Sequence, residues 1–171
     1  MIKLEIVPEY ALSNEAVRHI TELRAQSAAR HQSRPALFGS PPAFMALLRT
    51  DDVLVGHVRF DLQQLLLDLQ PVNVFCLYEL CFSSEAERKR HFQQLLEGIE
   101  GLGRQQSVEF VVLFSAEPDW LLAHGFEVCT NVLLPPRTAH LSDQLLSQQQ
   151  LLVKALGSQP WKPGRLQAPS E

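Results

Sequence analysis

The sequence predicts a single mixed α/β domain, in which helices pack on a mostly antiparallel sheet. Two apolar runs within 43–60 flank Asp51 and Asp52, residues that favour a tight turn, and therefore predict an antiparallel hairpin. The apolar run Val72–Phe82, the amphipathic stretch after it and the apolar run Val108–Phe114 predict a parallel strand–helix–strand crossover at the centre.

The N-terminal part begins with an alternating strand at 2–7. Ser13 is typical of an N-cap and predicts a helix over about 14–30, followed by a loop at 31–42. Gly56, inside the second arm of the hairpin, indicates a bulge or a close backbone approach.

The central part leaves one segment open, because 61–71 fits either a strand extension or a helical turn. Ser84 and Glu87 have the spacing of a capping box and predict that a helix begins there. Gly101 and Gly103 predict its end. The buried face of this helix is predicted to carry Phe92, Leu95, Leu96, Ile99 and Leu102.

The C-terminal part predicts a short helix at about 117–124 and one strand over Phe126–Leu134. Residues 141–153 can be read as a helix, whereas 149–156 can be read as a closing strand. We expect one domain over 1–156 and a tail over 157–171 that forms a loop or is partly disordered.

Composition excludes several classes of protein. The formal net charge is −4, whereas nucleic-acid-binding domains carry a basic stripe. A run of apolar residues long enough to cross a membrane is missing from the sequence, as is the apolar core of a signal peptide, so we expect a cytoplasmic protein without nucleic-acid or membrane partners. The three cysteines have no metal-ligand spacing. The Leu-rich segments 61–69 and 141–152 leave a homodimer open.

The order of these elements resembles the GNAT (GCN5-related N-acetyltransferase) superfamily over about residues 2–156. The resemblance implies a GNAT-like mixed, mostly antiparallel sheet with a central parallel unit and helices on both faces. It also favours the strand reading at the C-terminus. The matching segments are Phe44–Phe60 with Leu54-Val55-Gly56, Tyr78–Phe82, Val108–Phe114, Pro118–Phe126 ending in His124-Gly125-Phe126, and Gln150–Leu156.

The resemblance implies that acetyl-CoA lies against the fourth strand of the family, here at Leu80, Cys81 and Phe82. In the family, a glycine-rich loop at the following helix start binds the diphosphate through bare backbone amides. A gapless alignment places the leading Arg/Gln of that loop on Glu87, and places its glycines on Arg88, Arg90 and Phe92.

The charged residues at this helix start support opposite expectations about phosphate binding. Glu85 and Glu87 complement the helix dipole themselves and repel a diphosphate. Arg88, Lys89 and Arg90 are candidates to bind phosphate through their side chains instead.

The catalytic positions implied by the family are altered as well. Many relatives have a tyrosine acid on the short helix, where this chain has Leu121 beside Trp120. Tyr78 is the nearest tyrosine and a weak candidate acid. Glu79 is the candidate general base. The alternatives for Glu79 are a position on a less-covered face of the sheet and a pairing with Arg59 or His57. His124 is interpreted as a cation at the end of the short helix.

Two functions follow from the resemblance. The first is an acetyl-CoA-dependent N-acyltransferase that acts on a small-molecule or peptide amine through a divergent CoA site. The second is a non-catalytic binding module that has lost acetyl-CoA. The side chains between the fourth and fifth strands discriminate between them, because Arg88 and Arg90 in an open cleft favour the enzyme, and Phe92 and Trp120 filling it favour the module.

Overall fold

The structure, a computed structural model, describes residues 1–26, 43–130, 132–134 and 150–167. The described helices are a 3-10 helix (Glu9–Ala11), α1 (Asn14–Gln26), α2 (Glu85–Gln105) and α3 (Asp119–Leu122). The described strands are β1 (Ile2–Pro8), β2 (Ala43–Thr50), β3 (Val53–Leu67), β4 (Gln70–Phe82), β5 (Phe110–Ser115), β6 (Glu127–Val128), β7 (Val132–Leu134), β8 (Gln150–Ala155) and β9 (Arg165–Gln167).

The strands form one mixed sheet in the order β1-β2-β3-β4-β5-β8-β6, and β9 pairs with β3 and β7. Between the described strands, β4 with β5 and β7 with β9 are the parallel pairs, and the other pairs are antiparallel. The predicted fold class is therefore confirmed, including the parallel unit around α2. Segment 61–71 extends the strands, since β3 runs to Leu67 and β4 starts at Gln70.

The two long helices cover opposite faces of the sheet. Successive side chains of β2 pack toward different helices. Met45 belongs to the apolar cluster that includes α1, whereas Ala46 belongs to the cluster that includes α2. The α2 side holds the largest apolar cluster, to which Phe92, Leu96 and Ile99 contribute from the helix. This layering is the reason that one face of β4 is available to α1 and the other to α2.

Short-range signals in the sequence set the helix starts. The Ser13 hydroxyl accepts the Ala16 amide at 3.0 Å, and the Ser84 hydroxyl accepts the Glu87 amide at 3.1 Å. Both caps satisfy a backbone donor that the helix leaves open. The Glu87 carboxylate contacts the His91 ring at 3.1 Å, a contact that the capping-box pattern did not indicate.

The predicted end of α2 at Gly101 and Gly103 is wrong, because the helix continues to Gln105. Gly103 serves packing instead. A Cβ atom there would lie 2.8 Å from Leu156 and 3.3 Å from the Phe75 ring, so the glycine allows α2 to approach the sheet closely.

The C-terminal predictions were mixed. The single strand predicted over Phe126–Leu134 is wrong, because β6 pairs with β8 and β7 pairs with β9. The closing strand is confirmed as β8, and residues 165–167 form β9 within the predicted loop tail. The predictions for 27–42, for 135–149 and for the last four residues lie outside the described residues.

The predicted bulge lies next to Gly56, because Leu48 pairs with Gly56 and Arg49 pairs with Leu54. A Cβ atom at Gly56 would also lie 2.6 Å from the Phe82 ring. We expect Gly56→Ala to lower the free energy of unfolding by about 1–3 kcal/mol through overpacking, measured by urea denaturation. Gly101→Ala is the matched control. Space around Gly101 is open, so this change within a helix should stabilise by about 0.5–1 kcal/mol. Equal effects of the two substitutions would contradict this packing.

Candidate functional site

The central parallel strands separate before they end. Register pairs between β4 and β5 run from Val74–Phe110 to Leu77–Leu113. Both strands continue, β4 to Phe82 and β5 to Ser115. In the described sheet, this leaves an opening between the C-terminal ends of two parallel strands, a place where α/β proteins bind ligands.

A bulge in β4 lies beside this opening. His57 pairs with Cys81 and Arg59 with Tyr78, so Val58 of β3 lies opposite two residues of β4, Glu79 and Leu80. Glu79 has a φ of 57°, in the left-handed region that a glutamate rarely adopts. Such a backbone costs about 1–3 kcal/mol and is concentrated at functional sites. The strained residue is therefore the predicted base.

The Glu79 carboxylate lies next to a guanidinium. Its Oε2 atom is 3.9 Å from Nη1 of Arg59, and Nη2 of Arg59 donates to Glu9 at 2.7 Å. The side chain of Glu79 is 21% exposed. The pairing with Arg59 that the sequence left open is thus present, but it is the longer of the two Arg59 contacts, so Glu79 keeps access to solvent.

Tyr78 is buried and its hydroxyl donates to Asp61 at 2.8 Å. The Arg59 guanidinium lies 5.3 Å from the centre of the Tyr78 ring. The Tyr78 hydroxyl is therefore engaged by the buried Asp61 carboxylate.

Sequence reasoning missed the polar face of β3. His57 and Asp61 are fully buried, and Gln63 is 7% exposed. With Arg59 they occupy every second position of one strand, so they share one face. The alternation of these four polar residues with apolar ones in the sequence was the available signal, and it was obscured because 61–71 had no assigned structure.

Aromatic rings pack at the other side of the opening, where α2 and α3 meet. The Phe92 ring is 4.8 Å from Trp120, 4.7 Å from His124 and 6.4 Å from Phe82, measured between ring centres. We call these four residues the aromatic cluster. Phe92 is 1% exposed. Phe92 and Trp120 are thus in direct contact, which agrees with the hypothesis of a non-catalytic binding module.

The three predicted phosphate ligands each lie near a carboxylate of their own helix. Arg88 and Lys89 are 3.5 and 3.4 Å from Glu85. Arg90 is 3.7 Å from Glu87. The Arg88 guanidinium also stacks on the Trp120 ring, 4.4 Å from its centre. Arg88 therefore covers the aromatic cluster.

The surroundings of His124 disfavour the cation that the sequence indicated. Burial, followed by the nearby charges of Lys154 and Arg88, lowers the pKa of His124 from its usual 6.5. Its Nδ1 atom is 2.7 Å from the Gln93 side-chain oxygen. The lowered pKa favours the neutral ring over the cation.

The lowered pKa of His124 predicts a pH dependence of stability. The unfolded chain takes up the His124 proton first as pH falls below 6.5, so acidification below this value should destabilise the folded state. Denaturation midpoints between pH 7.5 and 5 measure the effect. His124→Gln should flatten the curve, and an unchanged curve would contradict the assignment.

The described part of the chain gives little support for metal or cysteine chemistry. There, no three His, Cys, Asp or Glu side chains are grouped to hold a metal ion. Burial raises the pKa of the Cys129 thiol to about 12, which makes it a poor nucleophile. Among the helices that the structure describes, we find no candidate for a membrane-spanning segment.

Comparison with known proteins gives a likeness in structure. No family model and no curated protein matches the sequence. An acyl-CoA N-acyltransferase from Pseudomonas aeruginosa has a TM-score of 0.61 at 14% identity, covering 91% of this chain and 100% of the other. A GNAT family N-acetyltransferase from Escherichia coli, in complex with CoA, has a TM-score of 0.60 at 13% identity over 99% and 91%.

The third similar structure belongs to a longer protein. N-acetylglutamate synthase from Neisseria gonorrhoeae, complexed with coenzyme A and L-arginine, has a TM-score of 0.55 at 18% identity. The match covers 91% of this chain and 34% of that protein. At these identities a likeness shows the fold alone. The chain has the mixed α/β fold of the GNAT N-acyltransferases.

Proposed function

We propose that this protein is an N-acyltransferase that moves an acyl group from a thioester to an amine. The observation that carries the proposal is the strained bulge at Glu79 beside the opening between β4 and β5. A non-glycine residue at positive φ costs stability. Its presence at this opening is the strongest reason to assign chemistry there.

The strand edge suits the arm of the donor. Leu80, Cys81 and Phe82 continue β4 beyond its last pair with β5, and an extended chain can add to a strand edge through backbone hydrogen bonds. When bound, acetyl-CoA supplies an acetyl group activated as a thioester. The diphosphate end fits poorly, because side chains replace the bare backbone that the family uses there.

Glu79 would take the proton that the acceptor amine must lose. Its carboxylate is partly exposed and its contact with Arg59 is long, so an ammonium group can approach it. The short helix offers Trp120 and Leu121, and neither side chain donates a proton to a leaving sulfur. A thiol has a pKa near 8.5 and leaves readily as the thiolate, and proximity supplies much of the rate.

The aromatic cluster favours a second function, a non-catalytic binding module. Phe92 is fully buried against Trp120, and Arg88 covers this contact. A module that had lost acetyl-CoA would keep these rings as core and would bind a partner elsewhere on the fold.

Thiol release distinguishes the two functions. The protein is incubated with millimolar acetyl-CoA and a panel of primary amines, amino acids and peptides, and free thiol is measured with and without each acceptor. The acyltransferase predicts release that depends on one class of amine. Absence of release with every acceptor, together with absence of acetyl-CoA binding, would contradict it and leave the module.

A further inference from the structure

The two ends of the proposed donor site differ in what they offer. Residues 80–82 of β4 continue beyond its last pair with β5, whereas the start of α2 carries large and charged side chains at the family's glycine positions. If the protein is the proposed N-acyltransferase, this difference determines which part of the donor it recognises.

Side chains at the start of α2 already compensate the helix dipole and the nearby cations. The Ser84 hydroxyl binds the Glu87 amide, and Glu85 and Glu87 lie in the first turn, where carboxylates complement the helix dipole. Each cation of the segment lies within 4 Å of one of these carboxylates. A diphosphate arriving here would be repelled by the Glu85 and Glu87 carboxylates, which lie beside the same cations.

Aromatic side chains pack further along α2, about two helical turns after its start. Phe92, at the last of the family's three glycine positions, is buried among Phe82, Trp120 and His124. A ring at that position prevents the close approach of a phosphate to the backbone. The Arg88 guanidinium lies on Trp120 at 4.4 Å, so binding phosphate would cost this stacking contact.

We propose that this protein recognises its acyl donor by the pantetheine arm alone, and that the nucleotide diphosphate makes no stabilising contact with α2. The donor class is an acyl thioester on a pantetheine arm. Two sources carry this chemistry, CoA and the phosphopantetheine group of an acyl carrier protein.

Binding measurements test this directly. Calorimetric titrations compare pantetheine with CoA at one ionic strength. A charge-assisted hydrogen bond to phosphate is worth about tenfold in affinity, so a working diphosphate site makes CoA much the tighter ligand. We expect dissociation constants that agree within about threefold, since the shared arm supplies the affinity. CoA binding tighter by about tenfold or more would overturn the inference.

Arg88→Ala is the informative variant, with Lys89→Ala as the matched control. If the protein does not recognise the diphosphate, the ratio of the CoA and pantetheine dissociation constants stays the same in both variants. A ratio that falls selectively in Arg88→Ala would assign phosphate binding to Arg88 and overturn the inference.

Turnover with three donors identifies the source. Acetyl-pantetheine and acetyl-CoA are expected to give similar kcat/KM values, and a faster acetylated carrier protein would support the inference and name the carrier as the source. A strong preference for acetyl-CoA would overturn the inference while leaving the acyltransferase intact. Absence of both binding and turnover with all donors would overturn the proposed function itself, and the inference with it.

Discussion

Replacing Phe92 by alanine is expected to lower the free energy of unfolding by about 3–5 kcal/mol, the usual cost of removing a buried phenyl ring. Phe92 is 1% exposed and contacts the rings of Phe82, Trp120 and His124. Alanine would leave a cavity between α2, α3 and β4, where the surrounding elements have little room to collapse. Urea denaturation followed by circular dichroism measures the change.

Tyr10→Ala is the control for Phe92→Ala, because Tyr10 is an aromatic residue that is 90% exposed. Its loss should change stability by less than about 0.5 kcal/mol. If Phe92→Ala cost no more than the control, the aromatic cluster would not be part of the core, and Phe92 would not block the approach of a diphosphate to the backbone of α2.

Replacing Glu79 by glutamine is expected to reduce kcat for acyl transfer by about 10²–10⁴-fold, the usual contribution of a positioned general base. The amide keeps the size of the side chain and cannot take the acceptor proton. Donor affinity should change by less than about twofold, because the lost interaction belongs to the chemical step. Steady-state rates and a calorimetric titration of the donor measure the two quantities.

Glu9→Gln separates proton transfer from ion pairing. Glu9 makes the shorter contact with Arg59, 2.7 Å against 3.9 Å for Glu79. If Glu79 served only to neutralise Arg59, the Glu9 variant would be impaired at least as much. We expect it to retain kcat within about threefold, as surface ion pairs contribute little. Equal loss in both variants would contradict the role of Glu79 as base.

Local chemistry made much of the fold predictable from the sequence. Ser13 and Ser84 cap their helices through contacts three residues away. The turn between β2 and β3 forms at Asp51 and Asp52, both of which adopt positive φ. Each of these features depends on neighbours in the chain, so composition and spacing were sufficient to indicate them.

The wrong assignments concern residues whose role is set by distant contacts. A glycine at position 103 is typical of a helix end. In the structure, its lack of a side chain is needed because Leu156 and Phe75 pack against it. The segment 126–134 was predicted as one strand, whereas its two parts find different partners in β8 and β9. Pairing of this kind depends on the whole sheet, so a local pattern could not indicate it.

The candidate site was predictable in part. The resemblance to the GNAT superfamily implied Glu79 as a candidate base and the altered glycine positions. The bulge was not, because a glutamate at positive φ has no compositional signature and the strain is imposed by the register with Val58. The contact of Arg59 with Glu9 joins residues fifty positions apart, and it could not be distinguished in the sequence from many other pairings.

Both proposals require that the opening between β4 and β5 binds an acyl thioester arm. Calorimetric titration of the purified protein with acetyl-CoA tests this binding, because acetyl-CoA carries both the arm and the acetyl group. We expect saturable heat with a dissociation constant in the micromolar range and an increased melting temperature. No heat and no thermal stabilisation up to millimolar acetyl-CoA would contradict it.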